Sequence, residues 1–265
     1  MTRPTQQAAD FRETLGLTSD QVIPDIVELI KSAGYSYHEA DFGDDFFAFT
    51  ERIPGHNFLI GFNSRLRFGE AFKRFTLAHE LGHIAMHSQI LSEGKRHSSR
   101  SVGNSVPGIE READQFAAYF LMPARIFSQK CRNLDFSPAS IRTLAEYFQV
   151  SDISTAMHYV DHTDLACSMI ASHSQGITKW ERRSEQMKEM VKPARFVSKT
   201  KVPVNSLTSE WIQGREVDKK GVMPLGDWMP DLGREIETEE SVFKTPDGLF
   251  LTLLTPLSLT VESES

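Results

Sequence analysis

The sequence predicts an α+β fold in two parts. In the first, residues 1–162, a small sheet precedes a bundle of helices; the second, residues 163–265, is a smaller α+β domain. Three observations predict it. Short alternating runs parted by turn residues fill the stretch before Gly69. Apolar stripes at helical spacing dominate from there to about residue 160. Beyond Asp164 the texture returns to strand pairs around tight-turn signals.

Thr18-Ser-Asp-Gln21 resembles a capping box ahead of the apolar spacing Val22, Ile26, Ile30, and predicts a helix that stops at Gly34. The runs YSYHEA, FFAFT and NFLIGF, separated by Gly-Asp-Asp and Pro-Gly, predict strands. A helix is expected from about Gly69 to His87, with Leu77, Leu81 and Ile84 as its inward stripe. Residues 89–108, rich in Ser, Gly and basic side chains, predict a mobile loop that shapes or covers a cleft. Ile109, Ala113, Phe116, Ala117 and Phe120 form a second helical stripe, and Pro123 marks its end or the first turn of a next helix. Helices are expected over about 139–148 and 152–160, joined by Gln-Val-Ser. In the last part, ACSMIASHSQGITKW and SVFKTPDGLFLTLLTP predict hairpins around Ser-Gln-Gly and Thr-Pro-Asp-Gly.

The totals narrow the function. With 265 residues and 40% apolar content the chain can bury a sizeable core. A net charge of −7 weighs against a nonspecific nucleic-acid binder, which needs a basic surplus. Cys131 and Cys167 are too few for a disulfide framework and suit a reducing compartment. The opening residues MTRPTQQAADFRETLG hold no apolar run of a secretory signal, and no stretch approaches the ~20 apolar residues needed to span a bilayer. A cytoplasmic protein with no membrane partner is expected.

The chemistry is concentrated in Phe75-Thr-Leu-Ala-His79-Glu80-Leu-Gly-His83, a His-Glu-x-x-His motif. On a helix, His79 and His83 project from one face a turn apart, close enough to share a metal ion. Glu80, beside them, is placed to take a proton from a water held there, which makes it the candidate catalytic base. A catalytic zinc site takes three protein ligands, so a further one must come from elsewhere. The candidates are His87, Glu110, Glu112 and Asp114. His87 is poorly placed to reach one ion together with His79 and His83 from a single straight helix, and the longer three-histidine spacing would need a histidine at position 89, which is Gln, so His87 is read as a cleft-wall or surface residue. At about 100° per residue Glu110 and Asp114 share one flank of their helix and Glu112 lies on the other. Glu110 is therefore assigned as third ligand, with Asp114 as the hydrogen-bond partner that fixes a ligating histidine's tautomer. Tyr119, His158, Tyr159 and His162 are candidates, by residue type alone, for a donor to the oxyanion.

FTLAHELGH followed by E-R-E-A-D-Q-F-A-A-x-x-L-M-P resembles the ImmA/IrrE family of zinc metallopeptidases, over roughly residues 20 to 162. The resemblance implies a zincin-like, gluzincin-type domain in which His79, His83 and Glu110 bind Zn2+ and Glu80 is catalytic. It implies a site-specific endopeptidase acting on a protein partner, a helix-turn-helix transcriptional repressor encoded nearby. Many relatives carry an N-terminal DNA-binding domain for which this chain has no room, so the repressor is expected to be a separate protein. The second part resembles, more loosely, a sensor-like or partner-binding domain.

Two alternatives arise from other features. SPASIRTLAEYFQVSDISTAMHYV scans as a helix-turn-helix anchored by Leu144, Phe148, Val150 and Ile153, and would give direct DNA binding. Against it, residues 152–159 contain no Lys or Arg to contact phosphate. The other alternative is a partner-binding, antitoxin-like regulator with a metal site but no turnover.

Overall fold

The computed structural model describes residues 3–257 apart from 19, 44–45, 56, 66–68, 100–106, 193–197, 216–219, 233 and 247. The chain forms two compact units, residues 1–127 with 146–151 and residues 128–145 with 152–265. Each mixes helices with a sheet, and the fold is α+β.

The first unit opens with a helix absent from the sequence expectations, α1 (Arg3–Thr14), whose buried residues are Pro4, Thr5, Ala8 and Arg12. Half of that face is polar, so it gives little apolar periodicity. Phe11 packs edge-on against Phe116 at 5.9 Å. Arg12 donates to the carbonyls of Phe120 at 2.7 Å and Thr18 at 2.8 Å, and to that of Gln21. Burial pulls its guanidinium down to about 10, so it stays charged at neutral pH.

Helix α2 (Ile26–Ser32) begins later than the capping box suggests. Asp25 is its cap, accepting from the backbone N–H groups of Val27 at 2.8 Å and Glu28 at 3.0 Å. Thr18 and Gln21 form a turn instead, and Ser19 lies outside the described residues. Gly34, at φ +84°, ends the helix in the left-handed region that favours glycine.

Strands β1 (Ser36–Ala40), β2 (Ala48–Ile53) and β3 (Asn57–Asn63) come next, matching the three alternating runs; Asp44 and Asp45 lie outside the described residues. They lead into α3 (Glu70–His87) and β4 (Arg96–Ser99). The sheet order is β1-β3-β2-β4, with β1 parallel to β3 and the other pairs antiparallel.

Strand β4 corrects the expectation of a plain loop over residues 89–108, of which 100–106 lie outside the described residues. Arg-His-Ser-Ser has no apolar alternation, so nothing in its composition marks a strand. Ladder pairing to β2 holds it, and the Arg96 guanidinium stacks 4.5 Å from the Phe49 ring and bonds Glu51 at 3.2 Å.

Helix α3 is buried over most of its length and packs on β2, β3 and α4 (Pro107–Leu121). Gly82 permits the close approach of α4, since a Cβ there would sit 3.1 Å from the Phe116 ring. Gly61 is tighter: a Cβ would stand 2.1 Å from Cε1 of Phe49, its cross-strand partner. Gly61→Ala is expected to destabilise by about 1–3 kcal/mol or more through overpacking. Thermal unfolding would register this as about 2–4 °C per kcal/mol. An unchanged midpoint would show that the Phe49 ring moves freely.

After Pro123, at the start of the next helix as one of its two readings had it, come α5 (Ala124–Cys131), then α6 (Pro138–Phe148) and α7 (Asp152–His162). Gln149, at φ +56°, makes the turn between α6 and α7. The second unit continues with β5 (Ser168–Ser172), β6 (Thr178–Arg183), α8 (Glu185–Met190), α9 (Leu207–Ile212), β7 (Gly221–Pro224), β8 (Glu237–Lys244) and β9 (Phe250–Pro256). Its antiparallel sheet runs β6-β5-β9-β8-β7, with both expected hairpins present; Asp247 in the second turn lies outside the described residues. Ile170, Met187, Leu225, Trp228, Met229 and Leu254 form its core. Among the described residues no helix is long and apolar enough to cross a membrane.

Candidate metal centre

His79 and His83 lie on the sector of α3 that faces α4, and Glu110 sits in the first turn of α4. Nε2 of His79 is 3.0 Å from Nε2 of His83. The two oxygens of Glu110 stand 3.3 Å from His79 Nε2 and 3.4 Å from His83 Nε2. Ligand atoms on a tetrahedral zinc, each at about 2.0–2.1 Å, are themselves about 3.3 Å apart. Among the described residues, the fold gathers the donor atoms of these three residues within 4.8 Å of one another.

Hydrogen bonds behind the imidazoles fix which nitrogen faces inward. Nδ1–H of His79 donates to Asp114 at 2.9 Å, the partner expected from the helical wheel. Nδ1 of His83 meets Nδ1 of His87 at 3.1 Å, and Nε2 of His87 meets Glu112 at 2.9 Å. The consistent assignment runs one way: His83 donates to His87, and His87 donates to Glu112. With His79 unprotonated, both Nε2 atoms of the motif present lone pairs to each other across 3.0 Å, a contact that a metal ion or a proton must relieve. The donor set of two imidazoles and a carboxylate fits zinc.

His87 and Glu112 take no place among the three clustered donors. His87 is buried rather than on the surface, and with Glu112 it forms the outer support of His83 that Asp114 provides for His79. Glu80 is fully buried, and its Oε2 accepts from the Thr50 hydroxyl at 2.6 Å.

Two residues near the cluster had no mark in the sequence. Thr50 on β2 and His97 on β4 are direct cross-strand partners, so they share the face turned toward α3. His97 Nε2 lies 3.2 Å from Glu110 Oε1, and its ring centroid is 4.5 Å from that of His83. A histidine in a Ser-rich stretch is recognisable only once the register of β4 against β2 is known.

The residues considered for oxyanion binding make other contacts. Tyr119 lines a groove with Arg12 and Pro123. The Tyr159 hydroxyl donates to the Leu134 carbonyl at 2.7 Å. His158 and His162 stack on each other, with ring centroids 4.3 Å apart, in the second unit.

Burial alone would lower the His79 pKa. Hydrogen bonds that the ring donates to Asp114 and Glu110 outweigh it and push the imidazole up to about 9. Burial would raise Glu110, yet the three histidines around it hold its carboxyl well below the usual carboxylate range. In the metal-free protein the His79 contribution to stability is present below its unfolded value of 6.5 and is lost as pH rises through about 9. Zinc needs the unprotonated ring, so proton and metal compete. Calorimetric zinc titration of chelator-treated protein is expected to show about one proton released at pH 7.5. Affinity is expected to rise about tenfold per pH unit and level off near pH 9. A pH-independent affinity would contradict the arrangement.

A buried helix bearing His-Glu-x-x-His, a carboxylate from the next helix and a sheet alongside define a zincin-like, metallopeptidase-type domain. A family model, that of peptidase family M78, described as the IrrE N-terminal-like domain, matches residues 45–190, and the chain belongs to this ImmA/IrrE family. No curated protein matches it. A solved structure of a Mycobacterium tuberculosis transcriptional regulator is similar in fold, with a TM-score of 0.61 and 15% identity over 97% of this chain and 77% of the other.

Proposed function

We propose that the protein is a zinc-dependent, site-specific endopeptidase that inactivates a protein partner, a helix-turn-helix transcriptional repressor encoded nearby. The observation that carries this reading is the convergence of His79, His83 and Glu110 beside a buried Glu80. Zinc, when bound, polarises a scissile carbonyl and brings the pKa of a water down to about 7. His79, His83 and Glu110 would hold the ion, with Asp114 and the His87–Glu112 pair keeping both imidazoles turned toward it. Glu80 would take a proton from the attacking water and return it to the leaving amine. Thr50 keeps that carboxylate oriented through its hydroxyl. The net charge of −7 suits a basic, DNA-binding partner.

Coexpression with the neighbouring repressor tests the reading. The wild-type chain should cleave the repressor and Glu80→Gln should leave it intact, read by intact mass of the products. Equal behaviour of the two removes the enzymatic reading. If Glu80→Gln instead keeps its biological effect with metal bound, the chain is a regulator without turnover.

Direct DNA binding is the weaker alternative. Helices α6 and α7 do form with a tight turn, but no residue from 152 to 160 is exposed, and that helix would have to enter a groove.

A further inference from the structure

We propose that His97 is the donor that stabilises the oxyanion formed during peptide cleavage, an assignment that rests on the peptidase reading above. Its placement is set by the sheet. Strand β4 pairs antiparallel with β2, and the register sets His97 directly opposite Thr50. Cross-strand partners lie on one face. Thr50 uses that face to bond Glu80, so His97 is aimed at the same stretch of α3. There its Nε2 meets Oε1 of Glu110, the oxygen that also faces His83.

Three roles are open to an imidazole in that position. A fourth metal ligand would bring its nitrogen into the mutual cluster of donors, and His97 is not in that cluster. A residue that merely supports Glu110 through the 3.2 Å contact would cost zinc affinity when removed, which the experiment below reads directly. The His97 side chain is 22% exposed, against 4% for His79 and none for His83, so part of its ring is open to solvent beside Glu110. The third role, the one proposed, is contact with a group entering from solvent. An N–H next to the reacting carbonyl stabilises the negative charge that develops on its oxygen, and is worth about 10²–10³ in kcat where such a donor has been removed.

The test uses the full chain as wild type, His97→Ala, His97→Asn and Glu80→Gln. Zinc content and affinity, read by competition with a chromophoric chelator, should stay within about threefold of wild type, below the loss expected of an outer supporting residue. Cobalt(II)-loaded protein is then titrated with acetohydroxamate, whose carbonyl oxygen would occupy the oxyanion position, and followed by visible absorption. His97→Ala should bind about tenfold more weakly or worse, and His97→Asn, which keeps a donor N–H, should fall between. On the cleaved repressor, kcat of His97→Ala should drop about 10²-fold with KM little changed.

Loss of metal from His97→Ala overturns the assignment, and so does unchanged acetohydroxamate binding, whatever kcat does. If wild type and Glu80→Gln are equally inert toward the repressor, the peptidase reading fails by itself. The acetohydroxamate titration still decides whether His97 contacts the ligand.

Discussion

Glu80→Gln is expected to lower kcat for repressor cleavage by about 10²–10⁴-fold while leaving the metal in place. Gln keeps the size of the side chain and can still accept from the Thr50 hydroxyl, so the 2.6 Å contact and the packing of α3 survive. Only the proton acceptor disappears. Because Glu80 is not among the clustered donors, zinc content by elemental analysis should match wild type. KM should change little, since the carboxylate is buried in the wall of the site and a passive binding role is not required of it. The informative result is this split, with metal and KM retained and kcat lost. Metal lost together with activity would instead mean that Glu80 helps build the centre.

Glu110→Ala should behave in the opposite way. It removes one of three ligands and leaves two imidazole nitrogens 3.0 Å apart with nothing to complete the set. Zinc affinity is expected to fall by at least about 10³-fold, beyond the 10–100-fold typical of losing an outer partner. Asp114→Asn and Glu112→Ala should fall in that smaller range, because each supports an imidazole from behind. A second readout separates binding from folding. A ligand present at 100 times its dissociation constant stabilises by about 2.7 kcal/mol. Chelator should therefore lower the thermal midpoint of wild type but leave Glu110→Ala unmoved. If Glu110→Ala binds zinc as wild type does, the carboxylate is not a ligand.

The parts of the molecule readable from the sequence are those whose signal is local. The spacing of His79 and His83, the flank shared by Glu110 and Asp114, and the stripe Leu77, Leu81, Ile84 all derive from one helical period. The strand pairs of the second unit were marked by alternation and turn residues. The hidden parts needed tertiary information. Helix α1 buries Thr5 and Arg12 where an apolar pair would have announced it. Strand β4 exists through pairing with β2 and not through composition. His87 passed for a wall residue because its partner Glu112 is 25 residues away, on another helix. Thr18 and Gln21 form the local contacts of a capping box, but Asp25 starts the helix, which shows that a short motif fixes a turn more reliably than it starts a helix.

The embedded guanidinium of Arg12 bears on how the first unit can be trimmed. It ties the leading helix to the last turn of α4 through the Phe120 carbonyl, and a cation there also suits the negative end of that helix. The family-matched segment starts at residue 45, after α1, α2 and β1. A fragment cut at that limit would strip Phe116 and Phe120 of their cover by Phe11, and leave β3 without its parallel neighbour. The boundary drawn by family likeness therefore leaves out elements that cover the first unit's core, and a fragment carrying the metal centre should begin with α1.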